Sequence, residues 1–197
     1  MILGATWLAA VGAGMGVLAA YDHTPGTPAA PPSVWPPASA IARVPGIPTL
    51  ILFAHPQCPC SRASVHELAE IMASVPGRLS AHVLFLKPAP FDPAWAQTDI
   101  WTSATAIPGV TVALDDRGTE ARSFGAVTSG QVVLYDTNGV LRFAGGLTAA
   151  RGREGDSAGR RAILALLTRG IADRRDAAVF GCSLLDPAPA TSPGSRR

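Results

Sequence analysis

The apolar positions change period along the chain, and the changes mark out elements. Thr49–Ala54 (TLILFA) is almost continuously apolar, which predicts a strand buried on both faces. After a His55-Pro56-Gln57 turn, residues 61–74 carry Val65, Leu68, Ile71 and Met72 at helical spacing, and Pro76-Gly77 stops that helix. Residues 79–86 predict a second strand, ended by Lys87-Pro88. Residues 95–106, opened by Asp92-Pro93, predict a helix with Trp95, Ile100 and Trp101 on its buried side. A short third strand at 110–114 and a helical turn at 120–124, capped by Gly125, follow. Gln131–Tyr135 and residues 141–143 flank Asn138-Gly139, a strong hairpin signal. A glycine-rich loop at 145–159 leads into a closing amphipathic helix at 160–172, with Ile163, Leu164, Leu166, Leu167 and Ile171 as its stripe. This order predicts an α/β fold, parallel at first and ending in a hairpin.

Outside that region the patterning fails in two different ways. Residues 1–20 hold no charge after the amino terminus and are long enough to span a bilayer, or to serve as a signal peptide cut near Ala19 or Ala20. The first Lys or Arg is Arg43, so a basic leader is missing. Either way, the rest of the chain is expected outside the cytoplasm. Residues 21–38 form a Pro-rich linker, in a stretch where eight prolines fall between Tyr21 and Pro48. Trp35, Ile41 and Val44 in and after it are apolar enough to lie on a domain surface. The folded domain is expected at 39–185 and a disordered tail at 186–197.

The net charge of +2 over 197 residues, with no basic stripe, excludes a nucleic-acid binder. Three cysteines rule out a fully paired intrachain framework, so at least one thiol is free, reactive, metal-bound or shared with a partner. Two of them, Cys58 and Cys60, sit where the first strand turns into a helix. There the helix dipole and free backbone N–H groups lower a thiol pKa and favour a nucleophilic thiolate.

The blocks Phe53-Ala54-His55-Pro56-Gln57-Cys58-Pro59-Cys60-Ser61-Arg62, Thr128-Ser129-Gly130-Gln131-Val132-Val133-Leu134-Tyr135-Asp136 and Phe180-Gly181-Cys182, in this element order, resemble the thioredoxin-like superfamily. The resemblance is to its membrane-anchored extracytoplasmic branch, and within it to RedB-like bacterial proteins. It implies a central mixed sheet flanked by helices, a site in the bacterial inner membrane with the domain facing the periplasm, and protein thiols or disulfides as partners. It places Cys58 at the nucleophile's position and Ser61 at that of the resolving cysteine, leaving Cys60 one residue early in a Cys-Pro-Cys-Ser motif. Thr128, Ser129 and Gly130 fall on the substrate-docking loop, with Gly130 where the family carries a cis-proline.

Residue chemistry leaves alternatives open. Cys58 and Cys60 form a candidate redox pair without a cofactor. On a regular helix residues i and i+2 diverge, so their disulfide needs non-helical backbone and is strained, hence oxidising. Cys182 or a partner thiol is the alternative resolver. Arg62, about one turn on, is expected to favour the Cys58 thiolate, and His55 to tune it by charge. The same atoms suit a copper carrier, with His55, Cys58 and Cys60 as soft-metal ligands. A non-catalytic module on this scaffold is a third alternative. Arg151, Arg153 and Asp156 are candidates for a rim near Cys58. Asp115, Asp116 and Glu120 read as surface carboxylates, and His82 as a packed strand histidine.

Overall fold

Six consecutive buried residues, Thr49–Ala54, make strand β1 and fix the middle of the sheet. The computed structural model describes residues 2–185, so the tail expected at 186–197 lies outside the described residues. Helix α1 (Ile2–Asp22) comes first. After β1 come α2 (Pro59–Ser74), β2 (Ser80–Lys87), a 3-10 turn (Pro93–Ala96), α3 (Asp99–Thr105), β3 (Val110–Asp116), α4 (Thr119–Ser123), β4 (Gln131–Tyr135), β5 (Leu141–Gly146) and α5 (Ala158–Arg169). The sheet order is β3-β2-β1-β4-β5. β1, β2 and β3 run parallel, while β4 is antiparallel to β1 and β5 to β4. The mixed α/β sheet flanked by helices is the one the sequence predicts.

Alternation along β1 divides the core. Leu50, Leu52 and Ala54 face α2 and α5 and meet Val65, Leu68, Ile71 and Ile163. Ile51 and Phe53 face the other way, toward Leu84, Phe124, Val133, Tyr135 and Leu184. Among the described residues no long helix covers that second face; the Pro-rich stretch helps to close it. Trp35 packs edge-on against Phe124 and Tyr135, with ring centroids 5.0 and 5.2 Å away. The Tyr135 hydroxyl donates to the Pro32 carbonyl at 2.8 Å, and Trp35 N–H donates to Gly139 O at 2.8 Å. Glu120 also serves here, accepting from Ser39 Oγ and Ala40 N–H. Residues that composition marks as spacer therefore lie along the domain. Asp115 is buried rather than solvated, and its carboxylate caps α4 by accepting from the N–H groups of Glu120 and Ala121.

Two helices depart from the pattern. The segment expected as one helix at 95–106 breaks at Thr98, the N-cap of α3, whose hydroxyl donates to the Pro56 carbonyl at 2.9 Å. The break ties α3 to the turn before Cys58. The closing helix starts earlier than the stripe suggests, because the Ser157 hydroxyl accepts from Arg160 N–H as its N-cap. It ends at Gly170, whose φ of 75° suits a residue without a Cβ. Ile171 falls beyond that end and is 72% exposed.

Truncating Leu52 to Ala is expected to lower the unfolding free energy in urea by about 2–5 kcal/mol. Ile171→Ala should change it by less than about 0.5 kcal/mol, since that side chain is outside the core. A large loss at Ile171 would contradict the observed helix end.

Candidate active site

The parallel strands deliver β1 to the N-terminus of α2, and the turn between them is held at several points. His55 N–H donates to the Ser61 hydroxyl at 2.9 Å, and Gln57 N–H donates to His55 Nδ1 at 3.2 Å. Pro59 occupies the first helical turn, where a missing N–H costs nothing. Cys58 is thus the N-cap, with extended backbone (φ −105°, ψ 122°). That is the non-helical geometry a close approach to Cys60 requires.

Cys58 is only 2% exposed, yet its thiol is the acidic one. Its pKa is lowered to about 3, chiefly because the Cys60 thiol donates to its sulfur. Burial opposes this. The Ser129 hydroxyl, the Ser61 backbone N–H and the Cys182 thiol add further donors. Ser129 Oγ lies 3.4 Å from Cys58 Sγ, and Cys182 Sγ lies 3.3 Å from it. The neighbouring thiolate pushes Cys60 up, with burial adding to it, and a Gly152 N–H only partly offsets the rise. Burial first, then the bond to Cys58, raises Cys182. One negative charge is therefore shared out as a thiolate on Cys58 with two protonated thiols beside it.

Cys182 reaches this point on a segment that pairs with the loop before β4. Ser129 N–H donates to Cys182 O at 2.8 Å, Cys182 N–H donates to Ser129 Oγ at 3.0 Å, and Leu184 N–H donates to Val127 O. Thr128 and Ser183 form an antiparallel bridge. Gly181 permits the approach, since a Cβ there would collide with the Ser129 carbonyl. Thr128, Ser129 and Gly130, expected to dock a substrate, are buried and already hold the chain's own residues. Among the described residues no peptide bond is cis; Gly130 instead has φ 85° and donates its N–H to Phe53 O at 2.8 Å.

The structure gives Arg62, His55 and Ser61 contacts that their spacing does not report. Arg62 pairs with Asp99 at 2.6 Å, because α3 brings a carboxylate within reach. Burial lowers the His55 pKa, the charge on Cys58 opposing this in part, and its ring rests edge-on against Trp95 at 5.6 Å. Ser61 is fully buried and braces the turn. Among the described residues no group of three His, Cys, Asp or Glu side chains is placed to hold a metal ion. Of the rim candidates, Arg151 joins the site, its Nη1 donating to Gly181 O at 2.6 Å. Asp156 pairs instead with Arg161, and Arg153 N–H closes a turn on Ala150. His82 is half-buried with Nε2 unpartnered, which pulls its pKa down and leaves it a packed histidine.

No protein-family model and no curated protein matches this chain. Solved structures do. An uncharacterized conserved protein from Geobacillus kaustophilus matches with a TM-score of 0.60 at 19% identity, covering 85% of this chain and 94% of that one. A hypothetical protein from Sinorhizobium meliloti matches with a TM-score of 0.56 at 21% identity, covering 82% and 93%. The fold is thioredoxin-like. A secreted Mycobacterium tuberculosis disulfide oxidoreductase is more distant, with a TM-score of 0.45 at 14% identity over 64% of this chain and 83% of that one. Within the thioredoxin-like frame, the unusual feature is local: three thiols meet where Ser61 and Gly130 replace expected residues.

An ultraviolet thiolate titration of the reduced protein should show one thiolate persisting down to about pH 3. Cys60→Ala and Ser129→Ala should each raise that midpoint by removing a donor to the sulfur. Arg62→Gln should leave it in place. A midpoint that rises only in Arg62→Gln would reverse this assignment.

Proposed function

We propose that the protein is a membrane-anchored, extracytoplasmic thiol–disulfide oxidoreductase whose working couple is Cys58 and Cys182. The carrying observation is the pair of sulfurs 3.3 Å apart, one on a buried, strongly acidic cysteine and the other on an exposed one. A disulfide closes to about 2.05 Å, so the two need only a small shift to bond. The likeness to RedB-like proteins belongs to this proposal, as does placement outside the cytoplasm. Helix α1 supports the anchor: its 21 residues extend about 31 Å, close to the apolar thickness of a bilayer. No residue of its apolar span is buried in the domain.

The pKa order favours one direction, oxidation of a dithiol substrate. In the oxidised protein, a substrate thiolate attacks the exposed Cys182 sulfur of the Cys58–Cys182 disulfide. The S–S bond breaks and Cys58 departs as the low-pKa thiolate, which makes it a good leaving group. The second substrate thiol gives up its proton and attacks the mixed disulfide. It leaves as the substrate disulfide and returns Cys182 as a thiol. Two electrons pass from the substrate dithiol to the cysteine pair. A second partner disulfide takes them away and resets the site. Cys60 stays protonated and donates to the Cys58 thiolate. Stabilising that reduced form raises the couple's potential and makes it an oxidant.

Thiol trapping in glutathione buffers, followed by peptide mapping, tests this. A reversible Cys58–Cys182 disulfide is expected in the parent and in Cys60→Ser, and its loss in Cys182→Ser. A Cys58–Cys60 disulfide that survives unchanged in Cys182→Ser would overturn the pairing. Stoichiometric Cu(I) uptake with no reversible disulfide would overturn the redox reading in favour of a copper carrier.

A further inference from the structure

We infer that the Cys58–Cys182 centre faces the bilayer surface and exchanges with a dithiol displayed there by an integral membrane protein. This rests on the redox reading above but concerns where the site points and what can reach it. The stretch that leaves α1 is attached to the site at three places. Arg151 grips the helix end: its N–H donates to Asp22 O at 3.0 Å, its Nε donates to Tyr21 O at 3.2 Å, and its guanidinium lies 4.6 Å from the Tyr21 ring. The same guanidinium donates to Gly181 O at 2.6 Å, one residue before Cys182. Because both bonds end on one planar group, the Tyr21 and Gly181 carbonyl oxygens are at most about 8 Å apart.

Two further ties follow within six residues of Tyr21. Gly26 N–H donates to Val179 O at 2.8 Å, and the Thr128 hydroxyl donates to Thr27 O at 3.0 Å. A Cβ at Gly26 would collide with the Thr128 side chain, so the chain runs flush against the docking loop. The linker is therefore not a free tether that lets the domain roam. It holds the exposed cysteine beside the end of the membrane helix, where Tyr21 sits at a depth that suits an interfacial aromatic and Asp22 is the first charge.

Reach then selects the partner. A folded soluble domain of about 100 residues has a radius of gyration near 13 Å. Such a body, approaching Cys182 from the bilayer side, would collide with the headgroups. A short cysteine-bearing loop rising from a neighbouring membrane protein would not.

The test uses the full chain in phosphatidylcholine–phosphatidylglycerol vesicles. A nitroxide is placed on Cys182 in the Cys58→Ser, Cys60→Ser background. A reference label goes on Asn138→Cys, in a background lacking all three native cysteines. Asn138 is exposed in the β4–β5 turn, at the far end of the sheet from the site. Relaxation by nickel chelated to lipid headgroups should be severalfold stronger at Cys182 than at the reference. Equal relaxation, or a chain that fails to float with the vesicles, would overturn the inference. As a second measurement that needs no cysteine removal, a dithiol peptide coupled to lipid should reduce the oxidised parent at least about tenfold faster than the free peptide at equal bulk concentration. Equal rates would also overturn it. Reduction by free glutathione separates the two ideas. If glutathione reduces the disulfide while the lipid measurements fail, only the orientation falls. If no thiol reduces it, the redox reading falls and the nitroxide result alone decides the placement.

Discussion

A negative charge on a sulfur that water barely reaches is the constraint around which this structure is arranged. An isolated buried thiolate would take up a proton, because burial disfavours its charged form. Cys58 keeps its charge because donors converge on it from four places: Cys60 on its own helix, the backbone at Ser61, Ser129 before β4, and Cys182 on the final segment. The local pieces alone would not suffice. β1 must end where α2 begins, β4 must lie beside β1 so that Gly130 can bond Phe53 O, and the chain must return to lay Gly181 against Ser129. Sheet order, glycine placement and thiol acidity are one problem with one solution.

Short-range pattern made much of this frame legible. The bounds of β1 and β4 follow from apolar runs, and the β4–β5 hairpin from Asn138-Gly139, because those signals depend on neighbours in sequence. The site was legible in part. Cys58 could be placed at a helix start, yet its principal partner beyond the helix is 124 residues away, and no local spacing reports that contact. Arg62 has a partner that was illegible for the converse reason. Its distance along the helix suits the thiolate, but Asp99, on an element whose position the pattern leaves open, captures it. Ser129 lay in the docking block without any sign that it would donate to a thiol. Proline content shows only that a segment cannot form helix or ladder; the apolar Trp35 and Ile41 were the sign that this stretch lies on the domain, and they help cover the sheet face.

The Cys182 segment pairs through main-chain bonds with the loop that the resemblance assigns to substrate docking. This changes what the missing cysteine at position 61 means. A resolving thiol on the helix is unnecessary if the chain supplies one on a strand laid across the site. Ser61 is then free to be a brace, and its burial and its bond with His55 N–H fit that use. Gly130 follows the same logic. With the docking loop occupied by the protein itself, the backbone there must admit close approach, and a Cβ would meet Ser64 Oγ at 2.8 Å.

The sign of the proton linkage agrees with the direction proposed for the electrons. A thiol whose folded pKa is depressed stabilises the reduced fold fully above its unfolded value, near 8.5, and loses that contribution as pH falls toward about 3. Oxidation removes the charge and with it every donor bond to the thiolate. Across mildly acidic to neutral conditions the reduced state therefore keeps a share of this stabilisation that the disulfide state cannot have, which favours the reduced form of the couple. In the proposed exchange the buried sulfur leaves and the exposed sulfur is attacked, so access and acidity are divided between two residues. Arg151 adds the last element of that division, because the group that holds the exposed cysteine's strand also holds the end of the apolar helix.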